Sequence, residues 1–481
     1  MAMLAAEESP QEEPHESPYV CRRSESLFSA IEKCLDNGLG SCLVVEENEK
    51  LVGRINLDDI RLSILDGSAL IDPTVDRQLA SQNRPAAQLR NDTSDTDVLR
   101  AIVDHHGCLT SVRVDRSMQS IQVSRPDLSH HEFRTVLEAF ISSWISSKGP
   151  YVEKFERDFG DYVGVKHGVA VTNGTVALHL ALIALGVGPG DEVIVPDLTF
   201  AATINAVLYC GATPVIVDVD RDSWCLSRDI VAAASTPRTK AIIPVHLYGR
   251  PAEMGPIMAF ARGRGIAVVE DCAEAHGARY DGRRVGQFGD VSCFSFYANK
   301  IVTTGEGGMC VTNSARLALE LRTMRDHGMT PGRSYWHERV GYNYRLTNLQ
   351  AAIGHAQLWR IDRVLDRNKR IQSMYRQALQ DIPGVRFARP LPANCEPVVW
   401  LASVLVPPEV RDALIAAARA AGIEMRPFFH RLSDLPPYAQ YARPCPSSAV
   451  LSASGINLPT SRDVDEQVVR RVVDIFRSVL A

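Results

Sequence analysis

The sequence predicts an α/β protein in which helices cover a mostly parallel sheet, with a smaller α/β domain after it and a separate α/β module before it. Two observations predict this architecture. From about residue 121 onward, short runs that are apolar throughout alternate with longer helical patterns, which is typical of strands buried on both faces of a parallel sheet. The length of 481 residues exceeds one ordinary domain, so two or three units are expected.

Residues 1–20 are predicted to form a disordered acidic tail. Glutamates lie among prolines there, and such a segment has too little apolar surface to fold. The pattern is the opposite of a secretory signal peptide, which begins with basic residues and continues with an apolar run.

Residues 21–120 are predicted to form a small α/β module. The pattern indicates a helix over 27–37, strands over 41–46 and from residue 51, and a second helix that begins at Asp58 and Asp59. The two carboxylates lie favourably at the positive end of that helix.

This module resembles a CBS domain, whose signature places a glycine, then threonine or serine, then aspartate at a strand-to-helix turn. The matching residues are Gly53, Asn56 and Asp59, so the hydroxyl residue is absent. The second half of the module, residues 95–115, has no comparable signature. We interpret the module as a degenerate regulatory or oligomerisation unit, with an unrelated α/β appendage as the open alternative.

Residues 121–380 are predicted to form the large domain, and residues 381–481 the small one. In open α/β sheets the ligand lies beyond the carboxyl ends of the strands, and both Asp271 and Lys300 are close to such ends. The small domain is expected to contain helices over 409–421 and 464–480. The predicted strands of the large domain span 192–196, 214–219, 241–247, 267–271, 292–297 and 309–312.

Composition excludes several classes of function. The content of 45% hydrophobic and 23% charged residues is that of a globular protein, and the net charge of -5 offers no footprint for nucleic acid or an anionic membrane. No apolar run is long enough to span a bilayer. The eleven cysteines form no Cys-x-x-Cys pair, which favours reduced thiols in the cytoplasm over a metal site or disulfides.

The first chemical signal is Lys300, which follows a run of apolar and aromatic residues and precedes the glycine-rich stretch 305–308. A buried lysine is costly unless its charge is paired or removed by chemistry. Condensation with the aldehyde of pyridoxal phosphate (PLP) is one such chemistry. Taken alone, a solvated lysine after a strand is the simpler interpretation.

The second signal is a candidate anion cradle at residues 172–175, before an apolar helix. Gly174 permits close backbone approach, and the amides of a first helical turn bind phosphate, with the Thr175 hydroxyl as a further donor. Helix capping by Asn173 or Thr175 is the alternative.

The third signal is a buried strand that ends in Glu270 and Asp271. A carboxylate in that position should have a raised pKa unless it faces a cation, and the protonated pyridine nitrogen of PLP is such a cation. Its pairing with Asp271 would keep the ring an electron sink. An acid that caps the following loop is the alternative.

Together and in this order, the signals resemble the DegT/DnrJ/EryC1/StrS family of PLP-dependent sugar aminotransferases of fold-type I, over residues 121–481. The matching stretches are 144–149, 173–175, 188–196, 246–249, 270–277, 295–300, 305–308 and 341–348.

The resemblance implies a role for each matching residue. Lys300 forms the Schiff base with PLP, and Asp271 pairs with the pyridine nitrogen. The implied cofactor contacts are Gly174, Thr175 and Ser295 at the phosphate, Phe200 stacked on the ring, Glu274 (often Gln in the family) beside the pyridine hydroxyl, and Asn343 reaching the phosphate from a partner subunit. The last role implies a homodimer with shared active sites, with a tetramer left open. For Phe200, ordinary core packing is the alternative.

The resemblance is strongest to the perosamine-forming branch of the family, through residues 273–277, 325–329, 335–337 and 340–345. It implies GDP-4-keto-6-deoxymannose as acceptor, L-glutamate as donor and GDP-perosamine as product. Some relatives replace the lysine with histidine and dehydrate their substrate, so Lys300 favours amino transfer. Candidate sugar or diphosphate contacts are His327, Trp336, His337 and Arg345, for which structural packing is the alternative.

Two other functions stay open at this point. One is an aminotransferase for another ketosugar, such as a UDP-linked 4-keto-hexose or a keto-acid sugar. The other is a regulatory or binding protein that keeps the fold without the chemistry. Intact Lys300 and Asp271 argue against the second, because neither is needed for folding.

Overall fold

The computed structural model describes residues 17–65, 75, 99–103, 106, 108–114 and 120–480. Most of the predicted tail and parts of the predicted module lie outside these residues. The chain divides into two compact units, residues 1–120 with 127–134, and residues 121–126 with 135–481. The domain boundaries predicted at residues 20, 120 and 380 stay predictions.

The described part of the first unit is a small α/β arrangement. Strand β1 pairs parallel with β2, which pairs antiparallel with β3, and β4 pairs antiparallel with β5. The elements are β1 (Val20–Arg22), α1 (Leu27–Asp36), β2 (Ser41–Val45), β3 (Leu51–Asn56), α2 (Leu57–Leu65), β4 (Leu99–Val103) and β5 (Leu109–Val114).

Local capping explains where both helices of this unit begin. The Ser26 hydroxyl accepts a hydrogen bond from the Ser29 amide, and the Asn56 carboxamide oxygen accepts one from the Asp59 amide at 2.8 Å. Asn56 occupies the position where the CBS signature has a hydroxyl residue. Its side-chain oxygen is therefore engaged in capping α2.

Helix α3 (His130–Ile141) precedes the large sheet along the chain. The second unit contains a seven-stranded sheet in the order β6-β14-β13-β10-β9-β7-β8. Two further short strands, β11 and β12, form a side sheet with a later strand. The bounds are β6 (His167–Val171), β7 (Glu192–Pro196), β8 (Thr213–Val217), β9 (Thr239–Ile242), β10 (Ala267–Asp271), β11 (Arg279–Tyr280), β12 (Arg283–Arg284), β13 (Val291–Ser295) and β14 (Gly308–Thr312).

The large sheet is mostly parallel, as predicted. Strands β13, β10, β9, β7 and β8 pair parallel, whereas β14 runs antiparallel to both of its neighbours. Only residues 296–307 separate β13 from β14, and they contain no helix. Because a parallel return needs a longer crossover, β14 folds back antiparallel, and the connecting loop carries Lys300.

Helices pack on both faces of this sheet and bury their apolar sides in two clusters of core residues. The helix bounds are α4 (Pro150–Val163), α5 (Gly174–Ala184), α6 (Ala202–Tyr209), α7 (Arg228–Ala234), α8 (Met254–Arg264), α9 (Ala315–Arg325), α10 (Asn348–Trp359) and α11 (Ile361–Leu379). Short strands without polar alternation are thereby buried on both faces, which is the arrangement that their composition predicts.

The C-terminal part of the unit has its own sheet and its own core cluster. The sheet order is β15-β17-β19-β18, and β16 pairs with β11. The bounds are β15 (Arg386–Phe387), β16 (Cys395–Glu396), β17 (Ala402–Leu405), α12 (Pro408–Ala420), β18 (Arg426–Pro427), α13 (Pro446–Ser454), β19 (Gly455–Leu458) and α14 (Glu466–Leu480). The two helices predicted for this region are present within two residues of their predicted starts.

Among the described residues, no helix is both long and apolar enough to cross a membrane. All eleven cysteines are free thiols, and most of them are buried.

Candidate active site

Lys300 lies in the turn that follows β13. The turn is closed by a hydrogen bond from the Lys300 amide to the Tyr297 carbonyl at 2.9 Å. The side chain is 11% exposed, and its Nζ lies 3.8 Å from the centre of the Trp400 ring and 3.6 Å from Glu274 Oε1. The lysine is therefore buried between an aromatic face and a carboxyl group, rather than solvated.

Glu274 is held in place by the backbone of another loop. Its second oxygen, Oε2, accepts a hydrogen bond from the Tyr248 amide at 2.9 Å, and Tyr248 has a left-handed backbone with φ of 51°. Burial raises the pKa of Glu274 to about 6 and lowers the pKa of Lys300. Burial thus disfavours charge on both groups, whereas the attraction between the carboxylate and the ammonium opposes that effect.

Asp271 ends β10, on the neighbouring strand of the sheet. Its Oδ2 accepts a hydrogen bond from the Thr203 hydroxyl at 2.9 Å, and its Oδ1 accepts one from the Ala273 amide at 3.2 Å. Burial raises the pKa of Asp271 despite these two bonds. A carboxylate has about four acceptor sites, so Asp271 keeps capacity for a cationic donor.

Glu270, the adjacent acid, is fully engaged in structure. Its Oε1 accepts hydrogen bonds from the Phe288 and Gly289 amides and the Ser292 hydroxyl, and its Oε2 is bonded to the Gly286 amide and the His246 ring. Burial alone would raise the pKa of Glu270, but these bonds hold it below its ordinary value. Of the two acids, Asp271 is the one available for chemistry.

The candidate phosphate cradle lies at the start of α5. The Asn173 side chain caps the helix by accepting from the Val176 amide at 3.0 Å, as the capping alternative expects. The amides of Gly174 and Thr175 still have no acceptor among the described residues. A Cβ on Gly174 would lie 2.8 Å from Ser295 Cβ, so only glycine lets the cradle approach β13 this closely. Capping and anion binding are therefore compatible.

These residues fit pyridoxal phosphate. A buried amine, a buried acid with free acceptor capacity, and free amides at a helix start lie around the carboxyl ends of adjacent strands. Ser295, the last residue of β13, contacts Gly174 and places its hydroxyl beside the cradle.

Phe200 does not belong to the core, because its side chain is 59% exposed. Its ring lies 5.8 Å from that of Phe429. The core-packing alternative is therefore wrong, and stacking on a cofactor ring stays a prediction.

Three of the predicted substrate contacts, His327, Trp336 and His337, are exposed, whereas Arg345 is half-buried and its backbone pairs with Val171 at the end of β6. Arg345 pairs with Asp326 at 3.0 Å and donates from Nε to the carboxamide oxygen of Asn343. His327 also bonds Asp326, through Nδ1 at 2.9 Å, and the ring of His337 bonds the His327 carbonyl at 2.9 Å. In the structure, the side chains of His327, His337 and Arg345 therefore lie close to one another.

Arg333 stacks on the ring of Trp336 at 3.7 Å. Contact of Trp336 with sugar, and contact of Asn343 with a partner's phosphate, stay predictions.

Three site residues were missed by the sequence analysis: Trp400, Tyr248 and Thr203. Tyr248 lies in the stretch 246–249, which matches the family and could have indicated that Tyr248 belongs to the site. Thr203 follows Phe200 by three residues. For Trp400 we find no sequence signal, since it is a hundred residues away from Lys300 along the chain.

The Glu274–Lys300 pair predicts a pH effect. The Glu274 carboxylate raises the pKa of Lys300 against the effect of burial. We expect Glu274→Gln to lower the pKa of Lys300 further, so that the reactive neutral amine persists to lower pH. The pH dependence of the rate at which apoprotein takes up PLP should shift to lower pH, whereas the exposed-site control Glu253→Gln should leave it unchanged. An unchanged midpoint in Glu274→Gln would show that the two groups do not interact, and a higher midpoint would show that Glu274 does not stabilise the charged form of Lys300.

Comparison with known proteins shows the family of the chain. Residues 126–477 match the DegT/DnrJ/EryC1/StrS aminotransferase family, and residues 13–66 match the CBS domain. The chain is 47% identical to GDP-perosamine synthase of Caulobacter vibrioides, over 75% of this chain and 98% of the relative. It is 41% identical to UDP-N-acetyl-3-dehydro-alpha-D-glucosamine 3-aminotransferase of Acidithiobacillus ferrooxidans, over 68% and 87%. The crystal structure of DesV from S. venezuelae superposes with a TM-score of 0.69 and 37% identity, over 73% of this chain and 94% of that one.

The match to the CBS domain confirms the resemblance of the N-terminal module, and it ends before residues 95–115, where no signature was found. The fold is that of the fold-type I aminotransferases, and PLP is the cofactor that the family implies. With its buried lysine and acid in place, the chain belongs to the DegT/DnrJ/EryC1/StrS aminotransferase family of PLP-dependent sugar transaminases.

Proposed function

We propose that this enzyme transfers the amino group of L-glutamate to C4 of GDP-4-keto-6-deoxymannose and forms GDP-perosamine. The observation that carries the reaction type is the buried Lys300 amine, 3.6 Å from Glu274 and next to the strand end that bears Asp271. The relative named GDP-perosamine synthase, matched over 98% of its length, supports the substrate.

PLP, when bound, supplies the aldehyde that receives the amino group and the ring that accepts the electron pair released at the donor's Cα. With PLP bound, the Lys300 amine would take the proton from that Cα and would deliver it to the cofactor carbon that carried the aldehyde. Burial lowers the pKa of Lys300, which favours the neutral amine that this role requires.

The remaining residues bind and orient. Asp271 would hold the proton on the pyridine nitrogen, and the amides of Gly174 and Thr175 would bind the phosphate. Phe200 would stack on the ring. Trp400 closes the opposite side of the lysine and shields it from water, since its ring lies against Nζ and its indole N–H bonds the Asn299 carbonyl at 2.7 Å.

The second candidate is amination of a UDP-linked ketosugar. The 41% identity to a UDP-sugar 3-aminotransferase favours it, although that match covers less of the relative than the 47% match does. The two candidates differ in the nucleotide and in the carbon that is aminated.

A panel of GDP-, UDP- and dTDP-linked ketosugars, each assayed with L-glutamate, distinguishes them. We expect kcat/KM for GDP-4-keto-6-deoxymannose to exceed that for every other acceptor by about 100-fold or more, because a site built to hydrogen-bond one base rejects another strongly. Mass spectrometry and NMR of the product should place the amine at C4. A preference for a UDP-linked 3-ketosugar would support the second candidate instead.

We also propose that the enzyme is a homodimer. The short stretch 140–145 exposes Phe140, Ile141, Trp144 and Ile145, with 47–72% of each residue accessible in the single chain. A patch of this kind is typical of a protein–protein interface, and a two-fold dimer would cover it on both chains. Sedimentation equilibrium should give twice the mass of the chain.

A further inference from the structure

Two buried threonines form a hydrogen-bonded chain that ends on Asp271. The Thr203 hydroxyl lies 2.9 Å from Asp271 Oδ2, and the Thr199 hydroxyl lies 3.0 Å from that of Thr203. Thr199 and Thr203 are 2% and 0% exposed. The series of hydrogen bonds from Thr199 through Thr203 to Asp271 is therefore buried away from water.

The ionised form of Asp271 determines which hydroxyl donates in each of these hydrogen bonds. An ionised carboxylate only accepts hydrogen bonds, so the single hydroxyl proton of Thr203 points to Asp271. Thr203 then has no proton to give to Thr199, and Thr199 must donate to Thr203. Each bond in the series polarises the next and strengthens the donor at the carboxylate.

We propose that Thr203, supported by Thr199, is a positioning residue that keeps Asp271 ionised and oriented toward the pyridine nitrogen of the cofactor. The proposal rests on the assignment of Asp271 to that nitrogen. Thr203 fixes Oδ2 from one side, and the Ala273 amide fixes Oδ1 from the other. Both oxygens are thereby held, while each keeps an acceptor site for the N–H of the ring.

Local structure explains why the threonines reach the acid. They lie at the start of α6, in the turn that follows β7, and the Thr203 amide bonds the Phe200 carbonyl at 3.2 Å. The same turn presents Phe200, the candidate stacking residue. One short segment, residues 199–203, would therefore supply both the aromatic side chain that stacks on the cofactor ring and the hydroxyl that orients Asp271 at the edge of that ring.

Thr203→Val tests the proposal, since valine keeps the shape of threonine and removes the hydroxyl. With PLP labelled with ¹⁵N at the ring nitrogen, the ¹⁵N resonance of the variant should move from the protonated toward the neutral position. We expect kcat to fall about tenfold, because a hydrogen bond to a charged group is lost, with KM for L-glutamate unchanged within about twofold. Thr203→Ser should restore the resonance and most of kcat, and Thr199→Val should give a smaller change of the same sign.

Thr312→Val is the matched control. Thr312 is also 2% exposed, and its hydroxyl donates to the Asp290 carbonyl, away from Asp271. Its loss can lower stability but should leave the ¹⁵N resonance in place. If Thr203→Val gives the wild-type resonance while Asp271→Asn shifts it, the role of Thr203 is refuted. If Asp271→Asn does not shift it either, the assignment of Asp271 itself is wrong.

Discussion

Lys300→Ala is expected to lower the rate of amino transfer by about 10⁴-fold or more, because it removes the amine that both attaches the cofactor and moves the Cα proton. The neighbouring carboxyl of Glu274 cannot replace it, because a carboxylate does not form an imine with the cofactor aldehyde. Stopped-flow absorbance during a single turnover with L-glutamate measures the effect directly. In the wild type, borohydride reduction followed by peptide mass spectrometry should place a pyridoxyl group on Lys300.

Two controls separate this role from a structural one. Lys240→Ala changes an exposed lysine on β9 and should leave turnover unchanged. A small primary amine added to Lys300→Ala should enter the space that the side chain leaves and restore part of the rate. A wild-type protein that binds no PLP, or a Lys300→Ala variant with normal turnover, would instead favour a binding protein without chemistry.

Asp271→Asn is expected to lower turnover by about 10³-fold, because a neutral carboxamide does not hold a proton on the pyridine nitrogen and the ring loses its power to stabilise negative charge. Binding of PLP should persist, since the phosphate cradle at the start of α5 is unchanged. The rate of the half-reaction with L-glutamate, measured apart from PLP affinity, reports this loss.

The stability of the apoprotein distinguishes a functional from a structural Asp271. Burial raises the pKa of this acid, so the ionised form destabilises the folded apoprotein at neutral pH. We therefore expect the free energy of unfolding of the Asp271→Asn apoprotein to be equal to or higher than that of the wild type. Asp218→Asn is the contrast: Asp218 accepts bonds from Ser447 and Ser448, and its pKa is held low. That variant should lose stability but keep turnover, and a stability loss in Asp271→Asn of the same size would make Asp271 a structural residue.

Most strands of the large sheet could be predicted from composition, because burial on both faces leaves an uninterrupted apolar run. Strand β7 and strand β10 have the predicted bounds, β14 begins one residue earlier than predicted, and β8, β9 and β13 each begin and end earlier than predicted. Strand β6 was missed. It begins with His167 and Gly168, which interrupt the apolar signal, and its place in the sheet comes from pairing with β14, more than a hundred residues later.

The site was predictable to the extent that its residues lie at strand ends and helix starts. Asp271 and Gly174 occupy such positions, and their local sequence indicates them. The resemblance assigned the acid to Asp271, but only the structure gives the physical reason, because the fold shows that the loop 286–289 and Ser292 engage Glu270.

By itself, then, the sequence determined the fold class, through its periodicity, and the family, through its motifs, and it indicated the candidate amine, acid and cradle, because each of these lies in a short local pattern. Only the tertiary structure decided the surroundings of those groups: Trp400 over Lys300, the Tyr248 amide on Glu274, and Thr203 on Asp271. These contacts join residues that are 26 to 100 positions apart. No local pattern specifies such partners, since burial and hydrogen bonding between distant segments are set by how the whole sheet and its loops pack.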